Sequence, residues 1–127
     1  MNEAKTIAII GASSNRGKYG NKAVRAYRDQ GYTVYPVHPR ADFIEGLNCY
    51  ASILDIPGPV EIASVYLPPA LTWRVLDELK QKGVPTVFLN PGTEDARVIE
   101  KARALGLNAV QACSIAAVGK SPAQYPE

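Results

Sequence analysis

The sequence has few of the residues that build metal sites and disulfide frameworks. It contains two cysteines, Cys49 and Cys113, and one histidine, His38, and these form neither a CxxC pair nor a metal-ligand pattern. We therefore expect neither a disulfide scaffold nor a metal site. The opening MNEAKTIAII has an acidic residue and only a short apolar run, which is not the layout of a secretory signal peptide. A reducing, cytoplasmic compartment is the setting we predict.

Long apolar runs are missing as well. No stretch approaches the roughly 20 apolar residues that a membrane-spanning helix needs, so we expect no membrane association. The chain has 127 residues, of which 46% are hydrophobic and 20% charged, a composition that suits one globular domain with a buried core. We predict a single domain over residues 1–127 whose tail, from about residue 119, is loosely ordered. Tyrosine and proline in that tail could support a homodimer.

Short apolar segments alternate with helical patterns along the chain. Strands are predicted at 6–10, 32–37, 61–67, 86–90 and 108–112, because each is β-branched, aromatic or continuously apolar. Helices are predicted over 21–30, from Pro69 to a stop at Gly83, and from a cap at Thr93 to Gly106, with a helical turn within 51–57. Strands joined by helical crossovers form a parallel sheet that is covered on both faces. The predicted fold class is α/β, a doubly wound parallel sheet of about five strands in three αβα layers.

A loop rich in glycine, serine and cations joins the first strand to the first helix, within IAIIGASSNRGKYGNKAVRAY (residues 7–27). A glycine after a strand lets the chain turn, and amides at the start of the next helix can bind phosphate. The G-x5-G-x2-G spacing differs from the GxGxxG dinucleotide fingerprint, and a loop that merely joins strand to helix is the alternative. Residues 1–40 carry seven Lys/Arg against two acids, so we favour an anionic ligand. Arg25 and Arg28 would equally suit a solvated helix face.

An acidic residue is missing where NAD-binding domains usually have one. In those domains an Asp or Glu at the end of the second strand accepts hydrogen bonds from the adenosine ribose. Here that strand ends in YPVHPR, and the nearest acid is Asp42. Arg40 instead offers a partner to a phosphate monoester. The expected ligand is therefore a nucleotide whose ribose bears an additional phosphate, and both NADP and coenzyme A qualify.

Five segments together resemble a known family. IAIIGAS, GYTVYPVHPR, CYASILDIP, LNPG and ACSI follow the order and spacing of the small stand-alone CoA-binding domain proteins, which are Rossmann-like and related to the nucleotide domain of the succinyl-CoA synthetase α-subunit. The resemblance runs from about Lys5 to Ile115. Two positions depart from the family pattern: His38 replaces the asparagine of the usual VNP, and the apolar YLPPAL replaces a segment that usually has a charged residue.

The resemblance implies a binding role in which CoA or an acyl-CoA lies across the carboxyl edge of the sheet. It places the diphosphate on the loop, the adenosine and its 3′-phosphate after the second strand, and the rest of the ligand along the strands that follow. The residues implied are Gly11, Ala12, Ser13, Ser14, Arg16, Lys18, Tyr19 and Gly20 in the loop, Val37, His38, Pro39 and Arg40 after strand two, and Leu67, Pro68, Asn90, Pro91 and Gly92 beyond. The turn at 90–92 also opens a helix, so its amides and Asn90 could face the ligand. Ordinary helix capping is the alternative there.

Few residues suit catalysis. His38 has no acidic neighbour in sequence to orient it as a base, and we favour ring stacking or phosphate contact. Cys113 could react with a CoA thiol if its pKa were lowered, although a strand-end cysteine is more often a small buried hydrophobe. Trp73 either packs or covers a ligand. Whether the chain is an enzyme stays open, and a CoA-binding protein without catalysis is the interpretation that we favour.

Two other functional classes compete with this interpretation. The first is an NADP-dependent reductase or a dinucleotide-sensing domain, which would need a partner chain or a dimer interface to make room for a substrate. The second is a nucleic-acid module that uses the basic first third of the chain. A net charge of +2, and cations that do not alternate with aromatic residues, disfavour that second class.

Overall fold

The computed structural model describes residues 5–127, so the part of the predicted domain at residues 1–4 lies outside the described residues. Five strands form the main sheet: β1 (Thr6–Ile10), β2 (Thr33–Val37), β5 (Ile62–Val65), β6 (Thr86–Leu89) and β7 (Ala109–Gln111). Their order in space is β2-β1-β5-β6-β7, and every neighbouring pair is parallel. A separate hairpin of two short strands, β3 (Phe43–Ile44) and β4 (Leu47–Asn48), follows β2.

Helices cover both faces of the sheet, because alternate residues of a buried strand point to opposite sides. The helices are α1 (Tyr19–Asp29), α2 (Pro69–Lys82), α3 (Ala96–Ala104) and α4 (Ser114–Ala117), with 3-10 turns at Ile53–Asp55 and Pro122–Gln124. Ile7 and Ile9 of β1 belong to the apolar cluster of α1 and α4, whereas Ala8 and Ile10 belong to the cluster of α2 and α3. The predicted doubly wound α/β fold in three layers is confirmed.

The strand order reverses at β1, because β2 lies on one side of it and β5 on the other. At such a switch point the connections leave in opposite directions and open a crevice outside the carboxyl ends of the strands. Gly11 follows β1 and Tyr66 follows β5 at this point. The backbone N–H of Tyr66 donates to the carbonyl of Ile10 at 2.7 Å, which holds the two strand ends together.

The residue that caps α3 differs from the sequence prediction. Asp95, not Thr93, caps α3, and its carboxylate accepts from the amide of Val98 at 2.9 Å. The Thr93 hydroxyl instead donates to the carbonyl of Asn90 at 2.7 Å. An Asp three residues before a free amide is an effective cap, and Asp is preferred over Thr at this position.

The tail also differs from the loosely ordered segment that the sequence predicts from about residue 119. Ser121 and Gln124 form a capping box around the last 3-10 turn. Tyr125 is 7% exposed and its hydroxyl donates to Asp29 at 3.0 Å. The tail therefore packs on α1, and the side chain of its tyrosine is buried within the chain rather than free to support a homodimer.

Candidate nucleotide-binding cleft

Three adjoining cavities form a row along the carboxyl edge of the sheet, which we call the cleft. A central cavity of about 760 Å³ lies beyond β1, β5 and β6. A cavity of about 370 Å³ adjoins it on the β2 side, and one of about 230 Å³ adjoins it on the β7 side. The central cavity shares Gly11, His38 and Leu67 with the β2-side cavity, and Tyr19, Tyr66 and Pro91 with the β7-side cavity.

Most of the residues predicted to bind the ligand line this cleft. Those in the walls of the central cavity are Gly11, Ala12, Ser13, Lys18, Tyr19, Gly20, His38, Leu67, Pro68, Pro91 and Gly92. Val37 and Pro39 line the β2-side cavity and Asn90 the β7-side cavity. Ser14, Arg16 and Arg40 line none of the three.

Two glycines allow the loop to pack closely against the switch point. Gly11 has φ +91°, and a Cβ there would fall on the carbonyl oxygen of Tyr66. A Cβ on Gly20 would fall on the carbonyl oxygen of Gly11. Because all of these neighbours are backbone atoms, they cannot rotate away, and the first turn of α1 can approach β1 only with glycine at both positions.

The start of α1 offers free amides to the central cavity, whereas the start of the loop does not. The amides of Gly11 and Ala12 donate to the carbonyl of Val37 at 3.1 and 3.2 Å, so they are not available to a diphosphate. Lys18 occupies the N-cap position of α1 without a side-chain hydrogen bond to the helix. The N–H groups of an uncapped helix start and the positive end of the helix dipole attract anions.

Asn21 and Glu45 hold the outer part of the loop. The Asn21 amide donates to the carbonyl of Ser13 at 2.9 Å and to the Glu45 carboxylate at 3.1 Å. The same carboxylate lies 3.7 Å from the Arg16 guanidinium. Arg16, predicted to meet the ligand, is therefore paired with an acid on the β3–β4 hairpin. The hairpin strands are only two residues long, and the sequence analysis did not detect them.

His38 separates the central cavity from the β2-side cavity. Its Nδ1 accepts a hydrogen bond from the backbone N–H of Arg40 at 3.0 Å. A neutral ring with an accepting Nδ1 carries its proton on Nε2, so Nε2 is the donor that this imidazole offers. Arg40 itself is exposed.

Asn90 lies at the predicted edge, but its polar atoms bond within the protein. It is 2% exposed, and its side chain donates to Ser64 and to the carbonyl of Val65 while it accepts from the amide of Ser114. These bonds use the amide to connect β5, β6 and α4 beneath the cleft. Its neighbours in the turn, rather than its own polar atoms, form the wall of the central cavity.

Tyr66 is the wall residue that the sequence analysis missed. It lines both the central and the β7-side cavities. The sequence predicts that the third strand runs to residue 67, which places Tyr66 inside the strand, whereas β5 ends at Val65. Burial raises the pKa of Tyr66 to about 12, so its hydroxyl stays protonated near neutral pH and can donate.

The other residues considered for ligand contact or reactivity are Trp73, Cys49 and Cys113. The Lys101 ammonium lies 3.6 Å from the centre of the Trp73 ring and Arg97 lies 5.4 Å from it, so Trp73 contacts α3 while it stays 37% exposed. Both cysteines are free thiols. Burial raises the pKa of the Cys49 thiol, which disfavours its reactive thiolate. Cys113 lines the β7-side cavity.

The described residues form neither a metal-binding group nor a membrane-spanning helix. Within residues 5–127, no three His, Cys, Asp or Glu side chains are grouped in a way that could hold a metal ion. Over the same part of the chain, none of the helices has the length and apolar character required to cross a membrane.

A doubly wound sheet with its cleft at the switch point places this chain in the Rossmann-like class of α/β domains. The family model described as CoA binding domain matches residues 5–120. The chain belongs to that family, and the resemblance found in the sequence is confirmed.

Two of the relatives are much longer proteins. An ADP-forming acetate–CoA ligase of Methanocaldococcus jannaschii is 38% identical over 80 residues, which are 63% of this chain and 11% of the ligase. The α-subunit of ADP-forming acetate–CoA ligase I of Pyrococcus furiosus is 34% identical over 119 residues, 81% of this chain and 26% of the subunit. The chain thus spans only about a tenth to a quarter of the length of these relatives.

A solved structure of similar size has the same fold. A hypothetical protein from Pyrococcus horikoshii OT3 superposes with a TM-score of 0.80 at 33% sequence identity. The match covers 87% of this chain and 77% of that protein.

Proposed function

We propose that this domain binds coenzyme A or an acyl-CoA along the cleft, with the diphosphate at the loop of residues 11–20 and without a catalytic step. The observation that carries the proposal is the uncapped start of α1, where Lys18, Tyr19 and Gly20 line the central cavity. Free helix amides, the helix dipole and a lysine together favour a diphosphate in that place. Ser13 lines the same cavity, and its hydroxyl, which accepts from the amide of Asn15 at 3.0 Å, keeps its own proton for a phosphate oxygen.

The β2-side cavity suits the adenosine end of the ligand. Its walls include the apolar side chains of Val37, Ile53 and Leu71, and Leu71 is 45% exposed, so an adenine ring could cover apolar surface there. Arg40 follows this wall and makes no salt bridge with any of the described residues. A 3′-phosphate on the ribose would give that guanidinium a partner.

A role in binding rather than catalysis follows from the surroundings of His38. Its Nδ1 is occupied by a backbone amide, and no described carboxylate hydrogen-bonds to the ring to orient it as a base. The free thiols agree with the cytoplasmic setting that we propose. In the ADP-forming ligases the matching segment is a minor part of a longer chain, so activity of that kind would need regions outside this domain.

Isothermal titration calorimetry with CoA, dephospho-CoA, NADP and NAD tests the proposal. We expect CoA to bind tightest and dephospho-CoA about tenfold more weakly, because it lacks the phosphate that pairs with Arg40, and tenfold is about 1.4 kcal/mol. Arg40→Ala should reduce this difference to about twofold.

Arg103→Ala is the matched control, because Arg103 is an exposed arginine in the last turn of α3 and its loss changes the net charge equally. Equal binding of CoA and dephospho-CoA by the wild-type protein would contradict the phosphate assignment. Tighter binding of NADP than of CoA would favour the dinucleotide alternative.

A further inference from the structure

A chain of buried hydrogen bonds runs beneath the cleft from Asn90 to Tyr66. The Val65 carbonyl can only accept and the Ser114 backbone N–H can only donate, so these two groups fix the orientation of the Asn90 amide. Its NH₂ group donates to the Val65 carbonyl at 2.8 Å and its oxygen accepts from Ser114 at 2.8 Å. The same NH₂ group donates to the Ser64 hydroxyl at 2.9 Å.

The orientation of the Asn90 amide determines which way the hydroxyl groups of Ser64, Ser114 and Tyr66 donate. Ser64 is fully buried, and its own proton has one acceptor among the described residues, the Ser114 hydroxyl at 2.7 Å. Ser114, which is fully buried too, then donates to the Tyr66 hydroxyl at 3.0 Å. The opposite direction would leave the Ser64 proton unpaired in the core, which is unfavourable. The Tyr66 hydroxyl oxygen therefore accepts from Ser114, and the proton of the Tyr66 hydroxyl has no partner among the described residues.

The residue that carries this proton lies at the junction of two cavities. Tyr66 lines both the central cavity and the β7-side cavity. The other walls of the β7-side cavity include Tyr19, Pro91, Cys113 and Pro122, which present mainly apolar surface. Its volume of about 230 Å³ equals that of roughly eight water molecules at ~30 Å³ each. A group of a few carbon atoms fits this space, and a long acyl chain does not.

We propose that the β7-side cavity is an acyl subsite, that it takes a short-chain acyl thioester, and that the Tyr66 hydroxyl donates to the thioester carbonyl. The inference rests on the proposed function. With adenosine on the β2 side and the diphosphate at the central loop, the pantetheine arm of CoA extends toward β7 and ends at this cavity. Free CoA ends in a thiol, which is a weak acceptor, so Tyr66 distinguishes the acylated ligand from the free one.

Calorimetry with CoA, acetyl-CoA, butyryl-CoA and palmitoyl-CoA tests the subsite. We expect the wild-type protein to bind acetyl-CoA and butyryl-CoA about five- to tenfold more tightly than CoA, as one additional hydrogen bond and a filled apolar cavity would give. Palmitoyl-CoA should gain nothing over CoA. Tyr66→Phe should bring acetyl-CoA to within about twofold of CoA while leaving the affinity for CoA within about twofold of wild type.

Tyr32→Phe is the matched control, because it removes a tyrosine hydroxyl from a residue that lines none of the three cavities, and it should keep the preference for acetyl-CoA. Since Tyr66→Phe also removes the acceptor of the Ser114 proton, thermal melts of each variant accompany the titrations. Cys113→Leu provides a second variant that fills the cavity without changing the hydrogen-bonded chain. It should abolish the preference for butyryl-CoA and preserve the affinity for CoA.

The failures of the two proposals are distinguishable. Wild-type protein that binds CoA and acetyl-CoA equally overturns the acyl subsite and leaves the proposed function in place. Protein that binds neither overturns both. A preference for acetyl-CoA that survives Tyr66→Phe overturns the role of Tyr66 as the donor, and a preference for butyryl-CoA that survives Cys113→Leu overturns the location of the acyl group.

Discussion

Replacing Gly11 by alanine is expected to abolish CoA binding and to lower the free energy of unfolding by about 2–4 kcal/mol. The position has φ +91°, and the added Cβ would overlap the carbonyl oxygen of Tyr66 and lie 2.8 Å from its carbonyl carbon. Tyr66 cannot retreat without breaking its hydrogen bond to Ile10. The overlap therefore separates the ends of β1 and β5, where the central cavity opens. Denaturant unfolding and calorimetry with CoA measure the two effects.

The variant Gly83→Ala is the control that separates the cost of a positive φ from the cost of the Cβ contact with Tyr66. Gly83 also has a positive φ, +76°, but no atom lies within 4 Å of a Cβ built on it. We expect it to cost only about 1–2 kcal/mol and to leave CoA binding unchanged. If Gly11→Ala were no more destabilising than Gly83→Ala and still bound CoA, then the close contact at the switch point would not shape the cleft.

The architecture was accessible from the sequence because its signals are local. The run TIAII predicts a strand buried on both faces, and β1 occupies those residues with both faces in the core. A glycine directly after that strand, followed by a helical pattern, was enough to place the loop at the carboxyl edge. The residues of Pro69–Lys82 were recognisable as a helix from the leading prolines and the closing Gly83.

Parts of the site depend on partners that are distant in sequence, and these were not predictable. Asn90 was placed at the correct edge, but its partners Ser64 and Ser114 lie 26 and 24 residues away, so its structural role has no local signal. Arg16 was assigned to the ligand because of its charge, its place in the loop and the family resemblance. Its acidic partner Glu45 adopts a left-handed backbone angle, φ +51°, in a hairpin too short to show a periodic pattern.

Arg25 is the clearest example of a residue whose role depends on distant contacts. A helix face with basic residues suits solvent, and that was one of the two interpretations left open. In the structure Arg25 is 6% exposed, because the tail covers it. Its guanidinium donates to the Asn21 side chain at 2.7 Å, to the Arg16 carbonyl at 2.9 Å and to the carbonyls of Tyr125 and Pro126 at 3.2 and 2.9 Å. One side chain thus connects α1, the loop that precedes it and the tail.

Replacing Arg25 by methionine is therefore expected to lower the free energy of unfolding by about 3–5 kcal/mol and to weaken CoA binding about tenfold. Methionine fills similar space, so the loss measures the hydrogen bonds, each of which is stronger than average because the donor is charged. Arg25→Lys keeps the charge but not the planar fork, and it should lose most of the same stability. Denaturant unfolding gives the energies, and amide hydrogen exchange reports which segments open.

Lys22→Met is the matched control, because it removes one positive charge from the same helix outside this network. We expect it to change stability by less than about 0.5 kcal/mol. In Arg25→Met, exchange should accelerate both in the loop of residues 11–18 and in residues 119–127, because the guanidinium bonds to carbonyls in each. Acceleration in the tail alone, with CoA affinity unchanged, would mean that the loop holds its shape without Arg25. In that case Asn21 and Glu45, which hold the loop from its other side, would be sufficient to fix the conformation of the loop.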